Sequence, residues 1–226
     1  MLTVACVLKS GGIYDASWVS RLRAGVARHL PIAHQFVCLS DVDVPCERIP
    51  LAHDWPGWWS KIELFKLPGP VLFFDLDTAI VGDLTGAAEI ATRPMFTVLQ
   101  DFYRPHGYGS GMMAWGGGHF DNVEWLYLTF ARYAETEMKE RGGDQAFIER
   151  QRPDNVSRWQ DVLPGQVVSY KVHCQGAYGT HFNEDLQRYV PAAIPSGARV
   201  VCLHGLPKFA DMSQHDPVRQ AWEMAA

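Results

Sequence analysis

Asp75 and Asp77, which end the run Val71-Leu72-Phe73-Phe74-Asp75-Leu76-Asp77, are the side chains in this sequence best suited to chemistry. The apolar run reads as a buried strand, and two unpaired acids are too costly to bury with it, so they belong at its edge. Alternation along an extended strand sends positions 75 and 77 to the same side, where they can converge on one target. A hard divalent cation, Mg²⁺ or Mn²⁺, suits such a pair, because it takes carboxylate oxygens and keeps sites for water or substrate phosphates. The pattern points to phosphate chemistry.

Other residues have two readings each. His204 follows Val200-Val201-Cys202-Leu203 and is either a metal ligand or a hydrogen-bonded histidine closing a strand. Asp144, after Gly142-Gly143, either caps a helix or works in the site. Lys61 is either a charge for phosphates or a solvated partner of Glu63 or Asp54. Trp55, Trp58 and Trp59 read as packing, with sugar stacking as the other use of their faces. His106, His173 and His181 carry no assignment. A zinc site has little support: there is no Cys-x-x-Cys pair, and His173 with Cys174 is the only close pairing.

The elements that must position these residues alternate. The patterns predict a strand at about 2–8, a helix at about 16–29 with Asp15 as N-cap, a strand at about 34–39 and a short helix near 58–66 before the acidic strand. A helix follows at about 86–92, a strand near 95–99, and a Gly-rich loop leading into Met112-Met113-Ala114-Trp115. A long amphipathic helix is expected at about 121–140, stopped by Arg141-Gly142-Gly143, then a helix from near Asp144 and strands at Val167 to Val172 and Arg199 to Leu203. Residues 211–226 read as a closing helix or a tail. Without repeats, low-complexity tracts or long linkers, 1–226 is expected to be one domain. In such α/β arrangements ligands bind at the carboxyl ends of strands. Lys9 to Asp15, Asp75 to Asp77 and His204 to Lys208 each follow a strand, and they share a cleft if those strands are neighbours.

The 226 residues are 47% apolar and 20% charged, enough for a sizeable core. A net charge of −5, without a dense Lys/Arg stripe, argues against nucleic-acid partners. No run approaches the ~18 continuous apolar residues of a transmembrane helix, and no signal-peptide pattern opens the chain. Five cysteines, of which Cys6, Cys38 and Cys202 sit in strand-like runs, are expected as reduced thiols in the cytoplasm.

In order along residues 2–209, Tyr14, Lys61 in Trp58-Trp59-Ser60-Lys61, Asp75-Leu76-Asp77, Gly109-Ser110-Gly111-Met112-Met113, Gly143-Asp144-Gln145 and His204-Gly205-Leu206-Pro207-Lys208 resemble motifs of GT-A glycosyltransferases. The resemblance is to the glycogenin-like and bacterial galactosyltransferase-like retaining family, glycosyltransferase family 8-like. It implies a Rossmann-like, three-layer α/β/α fold with a mixed central sheet. It further implies Mn²⁺ or Mg²⁺ on Asp75, Asp77 and His204, bridging the diphosphate of a nucleotide-sugar donor, with UDP-sugar the expected one. Lys9, Tyr14, Lys61, Asp75, Gly205 and Lys208 would contact the donor, with Tyr14 able to stack on its base. Asp144 and Gln145 would lie on the sugar side as catalytic residues. The implied acceptor is a glycan, a lipid-linked saccharide, a protein or a small molecule, and transfer would proceed with retention. Two departures bear on donor identity: Gly109-Ser110-Gly111 replaces Asn-Ala-Gly or Asn-Ser-Gly, and Phe209 follows Lys208 where the family has Pro-Trp. Two other readings accompany this one. Haloacid dehalogenase-like phosphatases also end a strand in Asp-x-Asp, which would make Asp75 a nucleophile, and a GT-A scaffold can bind a nucleotide sugar without transferring it.

Overall fold

The computed structural model describes residues 1–117, 120–151, 153–175, 182–183, 188–189 and 193–224; His181 lies outside them. The first apolar run forms β1 (Leu2–Leu8), flanked in parallel by β2 (His34–Ser40) and by the acidic strand β4 (Val71–Phe74). Between β1 and β2, α1 (Ala16–His29) starts where the Asp15 carboxylate accepts from the Ser17 amide, and it buries Trp18, Val19, Leu22 and Val26. These are the elements the apolar spacing predicts.

Two edge strands were not legible in the sequence. β3 (Glu47–Pro50) pairs with β2, and β8 (Val156–Arg158) pairs with β6 (Phe96–Gln100). Neither has a fully buried residue, so neither needs the apolar run that marks a central strand. β7 (Tyr108–Trp115) runs antiparallel between β4 and β6, completing a seven-stranded mixed sheet of order β3-β2-β1-β4-β7-β6-β8. The expected loop at Gly109-Ser110-Gly111 is therefore wrong, since all three residues lie in β7. Glycine is a poor strand former, but here the register shifts between Thr97 and Leu99, and a Cβ on Gly109 would sit 3.0 Å from the Leu99 Cβ. Close strand approach, and not a turn, explains the glycine.

The sheet is covered on both faces, which gives three layers. Val4, Cys6, Leu8, Leu72 and Phe74 face α1, α2 (Thr85–Ala91) and a second sheet of β5 (Thr78–Ile80), β12 (Val200–Cys202) and β9 (Val167–Ser169). Ala5, Val37, Phe73, Met113 and Trp115 face the 3₁₀ helix Gly57–Lys66, α3 (Phe120–Glu137) and α4 (Gly143–Gln151). Within the expected strand at 167–172, only 167–169 are extended; Tyr170–Cys174 forms a π-helical turn. Ser169 Oγ starts that turn by accepting from the Val172 amide, and Tyr170 Oη donates to Asp216 at 2.5 Å. β12 lies in the second sheet and is not a neighbour of β1 and β4. The short helix α5 (Trp159–Val162) and the ribbon of β10 (Phe182–Asn183) with β11 (Arg188–Tyr189) precede β12. The chain closes with α6 (Pro217–Glu223), whose Trp222 stacks on Phe209 at 4.3 Å and packs on Trp18 at 4.9 Å.

Candidate active site

The ends of β1 and β4, the β6–β7 connection, the start of α4 and the segment after β12 enclose a cleft of about 1190 Å³. Lys9, Tyr14, Lys61, Asp75, Asp77, Asp144, Gln145, His204, Gly205 and Lys208 all line it. The two carboxylates reach it by a route other than strand alternation. β4 stops at Phe74, and Asp75-Leu76-Asp77 forms the turn into β5, with Leu76 buried in the core between two acids that line the cleft. The Asp75 amide donates to the Gly111 carbonyl at 2.8 Å, which fixes the turn against β7.

Each carboxylate is held by a lysine. Lys61 Nζ lies 3.2 Å from Asp75 Oδ2 and 3.0 Å from Asp144 Oδ2, and donates to Ser110 Oγ at 3.1 Å. Lys61 is therefore not the solvated partner of Glu63 or Asp54. Glu63 takes the Ala52 and His53 amides and Lys66, while Asp54 takes Lys9. Burial acts to neutralise Lys61, but Asp144 and Asp75 outweigh it and hold the ammonium charged. Burial also pushes the Asp75 carboxyl up to about 6; Lys61 opposes this, while Asp77 and Asp144 add to it. Asp144, 5% exposed and in the first turn of α4, is ion-paired with Lys61 through its Oδ2.

Asp77 is ion-paired with Lys208 and accepts from Tyr14 Oη at 2.9 Å. Burial, with Asp77 beside it, pushes the Tyr14 phenol far above its ordinary range and keeps it a donor. The Tyr14 ring meets Trp18 edge-on at 4.9 Å, so the residue serves Asp77 as well as lining the cleft. Lys9 is held by Asp41 at 2.7 Å and Asp54 at 2.6 Å, and Gln145 donates to Asp101 at 3.0 Å. Asp101 in turn accepts the Tyr103 and Arg104 amides and the Arg104 guanidinium. Sequence reasoning missed the anchoring roles of Asp41 and Asp101, since both depend on partners brought close only by the fold.

The tryptophans divide. Trp55 and Trp59 pack on Phe130 in the core, whereas Trp58 is 60% exposed at the cleft. A Cβ on Gly143, whose φ is +65°, would come 2.6 Å from Trp58 Nε1. Gly143→Ala is accordingly expected to lose about 1–2 kcal/mol to left-handed strain and to displace the indole, read by urea unfolding and tryptophan emission.

No protein-family model matches the sequence, and comparison with curated proteins by sequence gives no match. Solved structures do match. The glycosyltransferase GlyE of Streptococcus pneumoniae TIGR4 superposes with a TM-score of 0.66 at 13% identity, covering 99% of this chain and 59% of GlyE. The galactosyltransferase LgtC, in complex with donor and acceptor sugar analogues, gives 0.64 at 10% identity, covering 99% of this chain and 94% of LgtC. The bifunctional glycosyltransferase WbbM gives 0.66 at 10% identity, with 99% of this chain and 51% of WbbM covered. This chain has the GT-A fold. It spans little more than half the length of GlyE and of WbbM.

The donor chemistry of this GT-A cleft can be set against the cation the fold implies. Asp75 and Asp77 supply the hard carboxylate oxygens that Mn²⁺ or Mg²⁺ takes. His204 lines the same cleft, and among the described residues no group of three His, Cys, Asp or Glu side chains is arranged to hold a metal. Its Nε2 lies 2.6 Å from Ser169 Oγ, and its ring stacks on Phe102 at 5.4 Å. Burial, then Lys171, pull its pKa down to about 4, so the imidazole is neutral at pH 7. Ser169 and Phe102 hold the histidine beside the carboxylate pair.

Proposed function

We propose that this GT-A protein is a metal-dependent glycosyltransferase that moves a hexose from a nucleoside diphosphate sugar, a UDP-sugar, to an acceptor hydroxyl with retention. The observation that carries the reading is the convergence of two carboxylates and two lysines, Asp75 with Lys61 and Asp77 with Lys208, on one cleft. A diphosphate needs that mixture: anionic oxygens for a cation and cationic groups for its own phosphates. Asp75 and Asp77 would hold Mn²⁺ or Mg²⁺, which when bound supplies Lewis-acid stabilisation of a departing diphosphate. Lys208 and Lys61 would turn from the carboxylates toward the phosphates, Lys9, Tyr14 and Gly205 would border the nucleotide, and Asp144, released as Lys61 turns, would accept from a donor-sugar hydroxyl. Gln145, tied to Asp101, would set the neighbouring wall. Retention is inferred from the resemblance alone; no residue is assigned as a covalent nucleophile.

We place the protein in the cytoplasm as one domain over 1–226. All five cysteines are free, which supports that location, and no described helix is long and apolar enough to cross a membrane. The test is thermal stability against a panel of nucleoside diphosphates with and without Mn²⁺. A nucleotide at ~100 times its dissociation constant is expected to add about 2.7 kcal/mol of stability, for UDP above the others and only with metal. If no nucleotide stabilises the fold, the reading fails and a phosphatase assay follows.

A further inference from the structure

Asp216-Pro217 starts α6: the Asp216 carboxylate accepts the Val218 and Arg219 amides, and proline takes a first-turn position where no amide is needed. Seven residues are too few to hold a helix by themselves, so what α6 packs against decides where it lies. Its Trp222, 7% exposed, stacks on Phe209 at 4.3 Å and meets Trp18 at 4.9 Å, while the Arg21 guanidinium covers the ring at 4.2 Å. Trp18 and Phe209 also meet each other at 5.7 Å, so three rings from three distant segments form one cluster. The ends of the helix are tied as well: Asp216 accepts from Tyr170 Oη, and Arg28 donates to the Met224 carbonyl.

Two of these rings support the partners of Asp77. Phe209 directly follows Lys208, whose amide is pinned by the Asp211 carboxylate at 2.8 Å and whose ammonium pairs with Asp77. Trp18 meets the Tyr14 ring edge-on at 4.9 Å, and Tyr14 Oη donates to Asp77. Both donors take the same oxygen, Oδ2, and the ammonium lies 5.6 Å from the centre of the Tyr14 ring. Tyr14 and Lys208 follow β1 and β12, strands that do not pair with each other, so backbone pairing does not set one against the other. The ring cluster does, with Trp222 as the member that joins its two halves. A site holds its groups to within about 0.5 Å only when the side chains behind them are themselves locked by packing. We infer that α6 belongs to the donor site: Trp222, as a positioning residue, sets Tyr14 and Lys208 around Asp77 and thereby the affinity of the cleft for a cation and a diphosphate. This rests on the glycosyltransferase reading and adds to it a residue outside the motifs that carried it.

The test compares the full chain with Trp222→Ala, Trp222→Leu and Trp222→Phe, and uses Phe96→Leu as a control for stability lost elsewhere. Phe96 pairs with Trp115 and Trp115 with Val71, at the end of β4 away from Asp75. UDP affinity is measured by calorimetry with saturating Mn²⁺, Mn²⁺ affinity alone by water-proton relaxation, and amide exchange of the ligand-free chain by mass spectrometry. Trp222→Ala is expected to weaken UDP binding roughly tenfold, to weaken Mn²⁺ binding with it, and to speed exchange at 75–80 and 203–211. Trp222→Leu, which fills space without a ring, should show the same losses more weakly, and Trp222→Phe should retain most of the affinity. Phe96→Leu is expected to lower the melting temperature while leaving UDP affinity and exchange in those segments at wild-type values. If Trp222→Ala does not fold, Trp222→Leu carries the comparison. Wild-type UDP affinity in the alanine and leucine variants would overturn the inference. So would an equal loss in Phe96→Leu, which would make the effect one of general destabilisation. If the wild type binds neither Mn²⁺ nor UDP, the donor reading falls and exchange decides the rest: faster exchange at 75–80 in Trp222→Leu but not in Phe96→Leu upholds the placement of Asp77's partners by Trp222, and no such difference overturns it.

Discussion

Asp77→Asn is expected to lower sugar transfer at least about 100-fold, equal to ~2.7 kcal/mol of transition-state stabilisation, while the protein still unfolds cooperatively, at a melting temperature lowered by the unpairing of Lys208. The substitution keeps the shape of a side chain that is 7% exposed, and the remaining carbonyl oxygen can still accept from Tyr14 Oη. What it removes is a negative charge, and with it the ion pair to Lys208 and half of the carboxylate donor set. The measurement is initial rate with the nucleotide sugar whose nucleotide stabilises the wild type, alongside the Mn²⁺-dependent thermal shift. Loss of both with the fold intact is the expected result. Wild-type turnover by the variant in EDTA would remove the cation from the mechanism, and a binding-only protein would show the shift but no transfer in the wild type.

What the sequence revealed followed from burial. β1, β4 and α1 carry the apolar runs and spacing of elements buried on a sheet, and Asp15 caps α1 as its position requires. β3 and β8 sit at edges without fully buried residues, so no pattern marked them. Gly109-Ser110-Gly111 looked like a loop because glycine is judged by propensity, whereas its place in β7 depends on how closely Leu99 approaches. In the site, ordered motifs identified the residues that share the cleft but not their pairing. The partner of Lys61 is decided by α4 and the turn after β4, and the partner of His204 is Ser169, 35 residues away. Strand alternation gave the right outcome for Asp75 and Asp77 from the wrong geometry, since a turn with a buried Leu76 carries them. The phosphatase reading made Asp75 a nucleophile on local sequence alone, and the GT-A fold of the whole chain supports the glycosyltransferase reading over it.

Lys61→Met is expected to destabilise the metal-free protein by about 3–5 kcal/mol, because removing one partner of a buried ion pair leaves the others uncompensated. The lysine is 9% exposed and lies within 3.2 Å of both Asp75 and Asp144, so its loss strands two carboxylates in the wall of the cleft. The pH dependence separates this from a simple packing defect. In the wild type the Asp75 carboxyl is raised from the ordinary 3.8 to about 6 with Lys61 still holding it down. A carboxyl raised in the folded state favours folding most below its unfolded value, and that contribution is lost as pH rises through the folded value. Without Lys61 the folded value moves higher still, so the wild-type advantage should be smallest near pH 5 and widest at pH 8. Urea unfolding in EDTA across that range checks it. A deficit independent of pH would mean that methionine merely packs badly, and a variant as stable as the wild type at pH 8 would mean that Asp75 and Asp144 do not depend on Lys61 for their charge balance.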